Sequence, residues 1–439
     1  MHTLPDATKS KIAELLPSAE IFEPSSDTYT RDSKVWAAQK QQNPALVLRP
    51  RDPTRLQKLV PYLYISGLDF AIRCGGIGSS SAKDVVLSMS AFDSFSYNPG
   101  NHTIIVGAGS TWGHVEQELE KVAPGRVAVA ARVPWVGVAG SMLSGCISWV
   151  GAEFGLAADP QNLLDVEIIL RDGRKIWASS EPELLWALRG GGDPKTSFHC
   201  HIAVADQEFP GQGSWADMSQ SDDSEVEDSK FHLSIFVFDA HGEEHGRGAE
   251  GFKWALDIPG AIDSTTVTNL KGVNELQGRN HHLIGATKSY LNACLVHSID
   301  SDFVVKGKKW VDSVVKLDHR LGPGTLFLLE VMPGNTFSAT ESAQETAWPH
   351  SSAPHVLQLL TGSLPNSGCP EAPALEALAK APGMIKQSHS TADFFPNFLE
   401  PINDISAIFG ANYEKLRHIK AFYDPDARFN KGTFIPPIS

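Results

Sequence analysis

A mixed α+β fold is predicted by three features of the sequence. Short apolar strands alternate with helical stretches from Pro44 to near residue 210. A strong hairpin turn, Asp172-Gly173, separates two strand-like runs. A second group of strands follows an acidic stretch that is nearly free of apolar residues. In order, residues 1–42 read as a helix, Lys9 to Leu16, and then a polar arm. Ala45 to Leu48 is a strand. Asp52-Pro53 starts a helix, with the carboxylate as N-cap and proline at the first helical position. Leu56, Leu59, Val60 and Leu63 fall at helical spacing, and Pro61 is expected to kink that helix.

Further strands are expected at Phe70 to Arg73, Val85 to Met89 and Thr103 to Val106, with a helix from Trp112 to Glu120. Leu164 to Leu170 and Lys175 to Ala178 flank the Asp172-Gly173 turn. Ser180 and Glu183 are placed to form a capping box for a helix from Glu183 to Leu188. Beyond the acidic stretch, "FHLSIFVF", "LFLLEV" and "HVLQLL" read as strands. The helix in "GANYEKLRHIKAFYDPD" is stopped by Asp424-Pro425.

The 439 residues carry a net charge of −14, which repels phosphate backbones and argues against nucleic acid or an anionic membrane as partner. No apolar run reaches the length of a membrane span, and no secretory signal is seen, so a cytoplasmic location is expected. The Asn101-His102-Thr103 sequon is then unused. Five scattered cysteines form neither a disulfide framework nor a zinc pair. His199-Cys200-His201 lies on a strand with no second ligand pair, so no metal is expected there.

Two glycine loops compete as phosphate sites. "TIIVGAGSTWGHVEQEL" has the outline of a dinucleotide fingerprint, but the position that should be small is Trp112 and no carboxylate ends the next strand. A structural turn is the better reading. "IRCGGIGSSSAKDVVLSMSAF" offers backbone N–H groups freed by Gly75, Gly76 and Gly78, with Ser79 to Ser81 as donors. A strand follows it, so it is neither a P-loop nor a Rossmann turn.

The order "ALVLRP", "FAIRCGGIGSSS", "VVLSMSAF", "TIIVGAGSTWGHVEQEL", "AARVPWVGVAGSMLSGCISWVGAEFGLAAD", "NLLDVEIILRDGRKIWASS" and "EPELLWALRGGG" resembles the flavin domain of the vanillyl-alcohol oxidase superfamily. The likeness is strongest to its berberine-bridge-enzyme-like branch of FAD-linked oxidoreductases. It covers residues 43 to 192 and resumes at "ETAWPHSSAPHVLQ" and "FGANYEKLRHIKAFYDPDARF". The resemblance implies a two-subdomain PCMH-type FAD-binding domain plus an α+β substrate domain with an antiparallel sheet. The expected division is an arm at 1–42, the FAD-binding domain at 43–211, the substrate domain at 212–395 and a segment returning to the FAD domain at 396–439. Residues 212–230 form the acidic, mobile part of the substrate domain.

The resemblance places Arg73, Cys74, Gly75, Gly76, Ile77, Gly78, Ser79 and Ser80 around the FAD pyrophosphate. It places Val136, Gly137, Val138, Gly140 and Ser141 beside the flavin, with Ser144, Gly145, Cys146 and Ile147 on the same side. Asp159 and Asn162 match a "GLAADN" turn interrupted by Pro160-Gln161, and Asn397 comes to the flavin edge through "FFPNFLEP". Relatives attach FAD through a histidine where this chain has Ile77, and some through a cysteine where it has Val133, so FAD held non-covalently is expected. Gln358 stands where some relatives carry a basic carboxylate. Glu330, Tyr413 and His350 have ordinary structural readings, and no catalytic base is assigned. The implied activity is oxidation of a small, secondary-metabolite-like organic substrate by hydride transfer to flavin N5, with O2 as acceptor. A redox-neutral cyclase on the same fold, or a degenerate non-catalytic flavoprotein, are the alternatives.

Overall fold

The computed structural model describes residues 2–78, 80–191, 197–205, 213–215, 234–332, 344–386 and 394–438. The described residues form an α+β structure with four sheets. The first holds β1 (Ile21–Phe22), β2 (Leu46–Leu48), β3 (Phe70–Arg73) and β4 (Val85–Ser88) in the order β1-β2-β4-β3. Strands β2, β4 and β3 run parallel, and β1 is antiparallel to β2. β2 and β4 are buried on both faces, which explains their unbroken apolar runs. The helix Pro53–Ile65 crosses from β2 to β3, capped by Asp52, whose carboxylate accepts from the Thr54 amide at 2.8 Å. Pro61 lies inside this helix, which continues to Ile65. The Gln57 carbonyl, to which residue 61 would otherwise donate, faces Gly173, where a Cβ would come within 2.4 Å of it. From β3 to β4 the return is made by the glycine-serine loop itself. A parallel pair requires such a crossover, and no helix supplies it among the described residues.

The second sheet has the order β5-β6-β10-β8-β9, with β7 on β10. Its strands are β5 (Phe95–Asn98), β6 (Thr103–Gly107), β7 (Val127–Ala128), β8 (Leu163–Ile169), β9 (Lys175–Trp177) and β10 (Ser197–Ala205). β8 and β9 form the expected hairpin, with Gly173 at φ +87 and the Arg174 amide donating to Asp172 at 3.0 Å. The Ser180–Glu183 box does not form. Residues 178–180 make a tight 3-10 turn that points the Ser180 hydroxyl back to the Trp177 carbonyl at 2.6 Å. The first helix is Asp6–Leu15, one turn earlier at its start than its apolar spacing predicts.

A small sheet of β11 (Gly213–Trp215), β12 (Phe238–Asp239) and β13 (Thr266–Thr268) precedes the large antiparallel one. In the latter, β14 (Lys288–Val296) pairs with β16 (His355–Ser363), which pairs with β15 (Leu326–Glu330). Helices Phe303–Leu317 and Glu371–Ile385 cover one face, with Trp310 donating to the Ala377 carbonyl at 3.0 Å. Of the acidic segment 212–230, residues 213–215 form β11, and residues 212 and 216–230 lie outside the described residues. The helix Tyr413–Tyr423 returns the chain to the first sheet, where Phe429 packs edge-on against Phe70 at 5.6 Å. No helix among the described residues is long and apolar enough to cross a membrane.

Candidate cofactor and substrate cleft

A cleft of about 1270 Å³ lies between the two glycine runs and the antiparallel sheet. That exceeds the roughly 300–1,000 Å³ of common small-molecule sites. The first glycine run is organised by Arg73, which is only 8% exposed. Its Nε and Nη2 donate to the Lys34 carbonyl at 3.1 and 3.0 Å, Nη1 to the Cys74 carbonyl at 3.0 Å and Nη2 to the Gly75 carbonyl at 3.3 Å. In a trans peptide the next N–H points opposite to the carbonyl. The amides of Gly75 and Gly76 are therefore turned away from the guanidinium, and the Gly75 amide meets the Cys74 thiol. Gly76 has φ +80, and a Cβ there would sit 2.7 Å from Arg73 Nη2.

The two glycine runs also hold each other. A Cβ on Gly75 would lie 2.8 Å from the Gly137 nitrogen, and one on Gly137 would lie 2.4 Å from Cys74 Sγ. By contrast, the fingerprint-like glycines serve a local turn. A Cβ at Gly107 or Gly109 would strike the Phe92 or Met89 carbonyl at 2.2 or 1.9 Å. Trp112, at the position that should be small, is fully buried and donates to Ser141 Oγ at 2.8 Å.

The short helix Val138–Leu143 follows Gly137. Gly140 lines the cleft, and its Cβ direction meets no protein atom within 4 Å. The cleft brings together Arg73 to Gly78, Ser80, Val136, Gly137, Gly140, Ser141, Ser144, Ile147 and Asn397. Val138 is buried behind it, and Gly145, at φ +105, lies beneath Phe395. Asp159 and Asn162 are inside the protein. Asp159 accepts from the Leu156 amide and meets His350 Nε2, both at 2.8 Å. Asn162 donates to the Phe154 and Leu156 carbonyls at 2.8 and 2.7 Å, and the inserted Pro160-Gln161 is absorbed in that turn. Ser79 lies outside the described residues.

Ile77 and Val133 both line the cleft, and no histidine does so among the described residues. Two thiols are present there. Burial pushes Cys74 up to about 11 and Cys146 up to about 12, so both stay protonated at neutral pH. Five cations line the cleft, namely Lys40, Arg73, Lys83, Arg132 and Lys431, against one carboxylate, Glu400. Three of the five are paired with carboxylates, Arg132 among them through Glu330, which leaves Arg73 and Lys83 to offer positive charge to a pyrophosphate. Lys40 meets Glu400 at 3.3 Å and Lys431 meets Asp69 at 2.6 Å. Trp36 stacks on Trp135 at 5.1 Å, and the buried Trp135 Nε1 has no partner among the described residues.

The sheet wall is Leu291 from β14, Leu326 from β15, and Gln358 and Leu360 from β16. The two-residue period of β16 turns Gln358 and Leu360 to the same side. Glu330 is buried behind Gln358, and its Oε1 accepts from both Gln358 Nε2 and Arg132 Nη2. Arg132 also lies over the Trp149 ring at 5.5 Å. A carboxylate only accepts, so it selects the NH2 end of the Gln358 amide and leaves the carbonyl oxygen to the cleft. Of the other two candidate bases, His350 is tied to Asp159, and Tyr413 packs with Arg417 over its ring; neither lines the cleft. Sequence reasoning missed Arg132, Trp36, Trp135 and Lys40, none of which carries a local pattern.

The chain matches a family described as FAD binding domain over residues 44–179, and one described as berberine and berberine like over residues 403–436. It is 28% identical over 208 residues to (R)-6-hydroxynicotine oxidase of Paenarthrobacter nicotinovorans. That stretch is 46% of this chain and 44% of the relative, so less than half of the relative's length is matched. It is 22% identical over 476 aligned positions to FAD-linked oxidoreductase iacH of Pestalotiopsis fici, covering 97% of this chain and 90% of that one. Its fold is shared with the carbohydrate oxidase from Microdochium nivale, at a TM-score of 0.76 and 19% identity over 96% and 98% of the two chains.

Proposed function

Because the chain belongs to the berberine-bridge-enzyme-like FAD-linked oxidoreductases, we propose that it holds FAD without a covalent bond and oxidises a small, largely apolar organic molecule of secondary-metabolite type. The observation that carries this reading is the make-up of the cleft: a positive, glycine-lined floor facing a leucine wall, with isoleucine and valine at the attachment positions. FAD suits that floor on three counts: the positive charge of Arg73 and Lys83, the unpartnered indole N–H, and the open Cβ direction of Gly140. When bound, FAD supplies the hydride acceptor, with O2 as the final electron acceptor.

The residues of the chain do the rest. Arg73 holds the loop that would meet the pyrophosphate, and Lys83 adds positive field. Leu291, Leu326 and Leu360 exclude water from the substrate and give it apolar contact. Gln358 offers its carbonyl oxygen to a substrate O–H or N–H, with the amide held in place by Glu330. A substrate lacking that donor would leave the buried acceptor unpaired, which costs about 1–3 kcal/mol and so gives selectivity.

The test is acid release. The purified yellow protein is precipitated with acid and spun, and flavin absorbance is read in both fractions. Flavin in the supernatant is the expected outcome. Flavin retained in the washed pellet would overturn the non-covalent reading.

A further inference from the structure

We propose that Asp239, His241 and His245 form a site for one divalent transition-metal ion, with zinc the cation it suits. β12 ends at Asp239, and Gly242, at φ +92, turns the chain into the short helix Glu243–Arg247. The sequence Asp-Ala-His-Gly-Glu-Glu-His thereby folds both imidazoles back onto one carboxylate. His241 Nδ1 lies 3.0 Å from Asp239 Oδ1, and His245 Nδ1 lies 2.7 Å from Oδ2. The two rings are 4.6 Å apart, and the ligand atoms of all three residues fall within 4.8 Å of one another. None of the three lines the cleft.

The site is built unevenly. The Asp239 side chain is 4% exposed, while His241 and His245 are 72% and 41% exposed. A cation would thus rest on a buried carboxylate and keep an open side for water. The Asp239 Oδ1 also accepts from the His241 amide at 2.9 Å, an outer contact that orients the carboxylate.

Metal–ligand bonds of about 2.0–2.2 Å at tetrahedral angles place neighbouring ligand atoms roughly 3.3–3.5 Å apart. The present N···O separations, bridged by protons, need open by only about half an ångström, which small side-chain rotations provide. Two imidazoles and one carboxylate favour zinc and its neighbours over magnesium or calcium, which prefer all-oxygen sets. The bound ion would clip the end of β12 to the helix that follows it.

Tag-free full-length protein, dialysed against chelator, is titrated with zinc chloride and separately with magnesium chloride by calorimetry. One zinc per chain with low-micromolar affinity, and no magnesium uptake, is expected. His241→Gln, His245→Gln and Asp239→Asn should each weaken zinc at least about tenfold. Asn keeps the acceptor for the His241 amide, so that variant tests the charge without removing the turn contact. Flavin content equal to the parent's confirms that the variants are folded. Absence of stoichiometric zinc uptake overturns the proposal. So does an unchanged affinity in the double variant H241Q/H245Q, which would place the ion elsewhere.

Discussion

Replacing Gly140 with valine is expected to remove flavin from the protein while leaving its fold intact. Gly140 lies in the helix Val138–Leu143 and lines the cleft, and a Cβ there meets no protein atom within 4 Å. The apoprotein therefore has room for the new side chain. Glycine is worse than valine inside a helix by a few tenths of a kcal/mol, so the stability of the apoprotein should hold or rise slightly. The added atoms instead occupy space on the cofactor side. Overpacking a filled site costs about 1–3 kcal/mol, which weakens FAD about 5- to 150-fold. The assay is titration of apoprotein with FAD, read by quenching of flavin fluorescence, beside thermal unfolding of the same apoprotein. Parental affinity in G140V would refute the placement of FAD against this helix. A clear loss of apoprotein stability would refute the claim that the position is structurally free.

Gly76→Ala should do the opposite and damage the scaffold. At φ +80 an L-residue costs about 1–2 kcal/mol, and the Cβ would press on Arg73 and the Lys34 carbonyl at 2.7 and 2.8 Å; a urea midpoint equal to the parent's would contradict this. Glu116 gives a pH prediction. Burial pushes its carboxyl up to about 8, against the opposing hydrogen bond from Asn274. The folded state thus keeps a proton that the unfolded chain gives up in the ordinary carboxylate range. Stability is full below that range and declines by up to roughly 1.4 kcal/mol per pH unit until about pH 8. Glu116→Gln should flatten that decline in a urea series from pH 5 to 8; the same slope in the variant would sink the assignment.

The parts of the fold that were legible in the sequence depend on neighbours in the chain. Asp52 caps its helix because the Thr54 amide is two residues away, and Asp172-Gly173 makes its hairpin because Gly173 can take a positive φ. The glycine loops were legible as a site for the same reason. What each glycine does there was not. Gly75 and Gly137 press backbone to backbone across 62 positions, and the Arg132–Glu330–Gln358 group joins three distant stretches. Arg73 reads as a phosphate ligand in sequence, yet its donors go to two carbonyls of the loop it supports and to the Lys34 carbonyl of the N-terminal arm. The Ser180 cap failed because a tight turn pointed its hydroxyl backward, which no residue pattern announces. His199 and His201 stand out in the sequence as possible ligands, whereas the spacing of Asp239, His241 and His245 gains meaning only once Gly242 turns the chain into a helix.

The walls of the cleft come from far-apart stretches, from Trp36 to Phe434. The segment after Trp36 is zipped to the start of β14, where Gln39 exchanges hydrogen bonds with Ser289 at 2.6 and 3.0 Å and the Ala38 amide donates to Thr287 at 2.9 Å. The far end is pinned to the same strand by the Phe395 amide on the Ala293 carbonyl at 2.9 Å. During synthesis at about 5–20 residues per second, roughly 20–80 s separate the first wall residue from the last. Until β16 is made the glycine loop faces solvent without its opposing sheet, and the last part of the wall follows only with the stretch to Phe434. Flavin loading thus reports on completion of the whole chain: a nascent protein can fold its first sheet early and still be unable to enclose a cofactor.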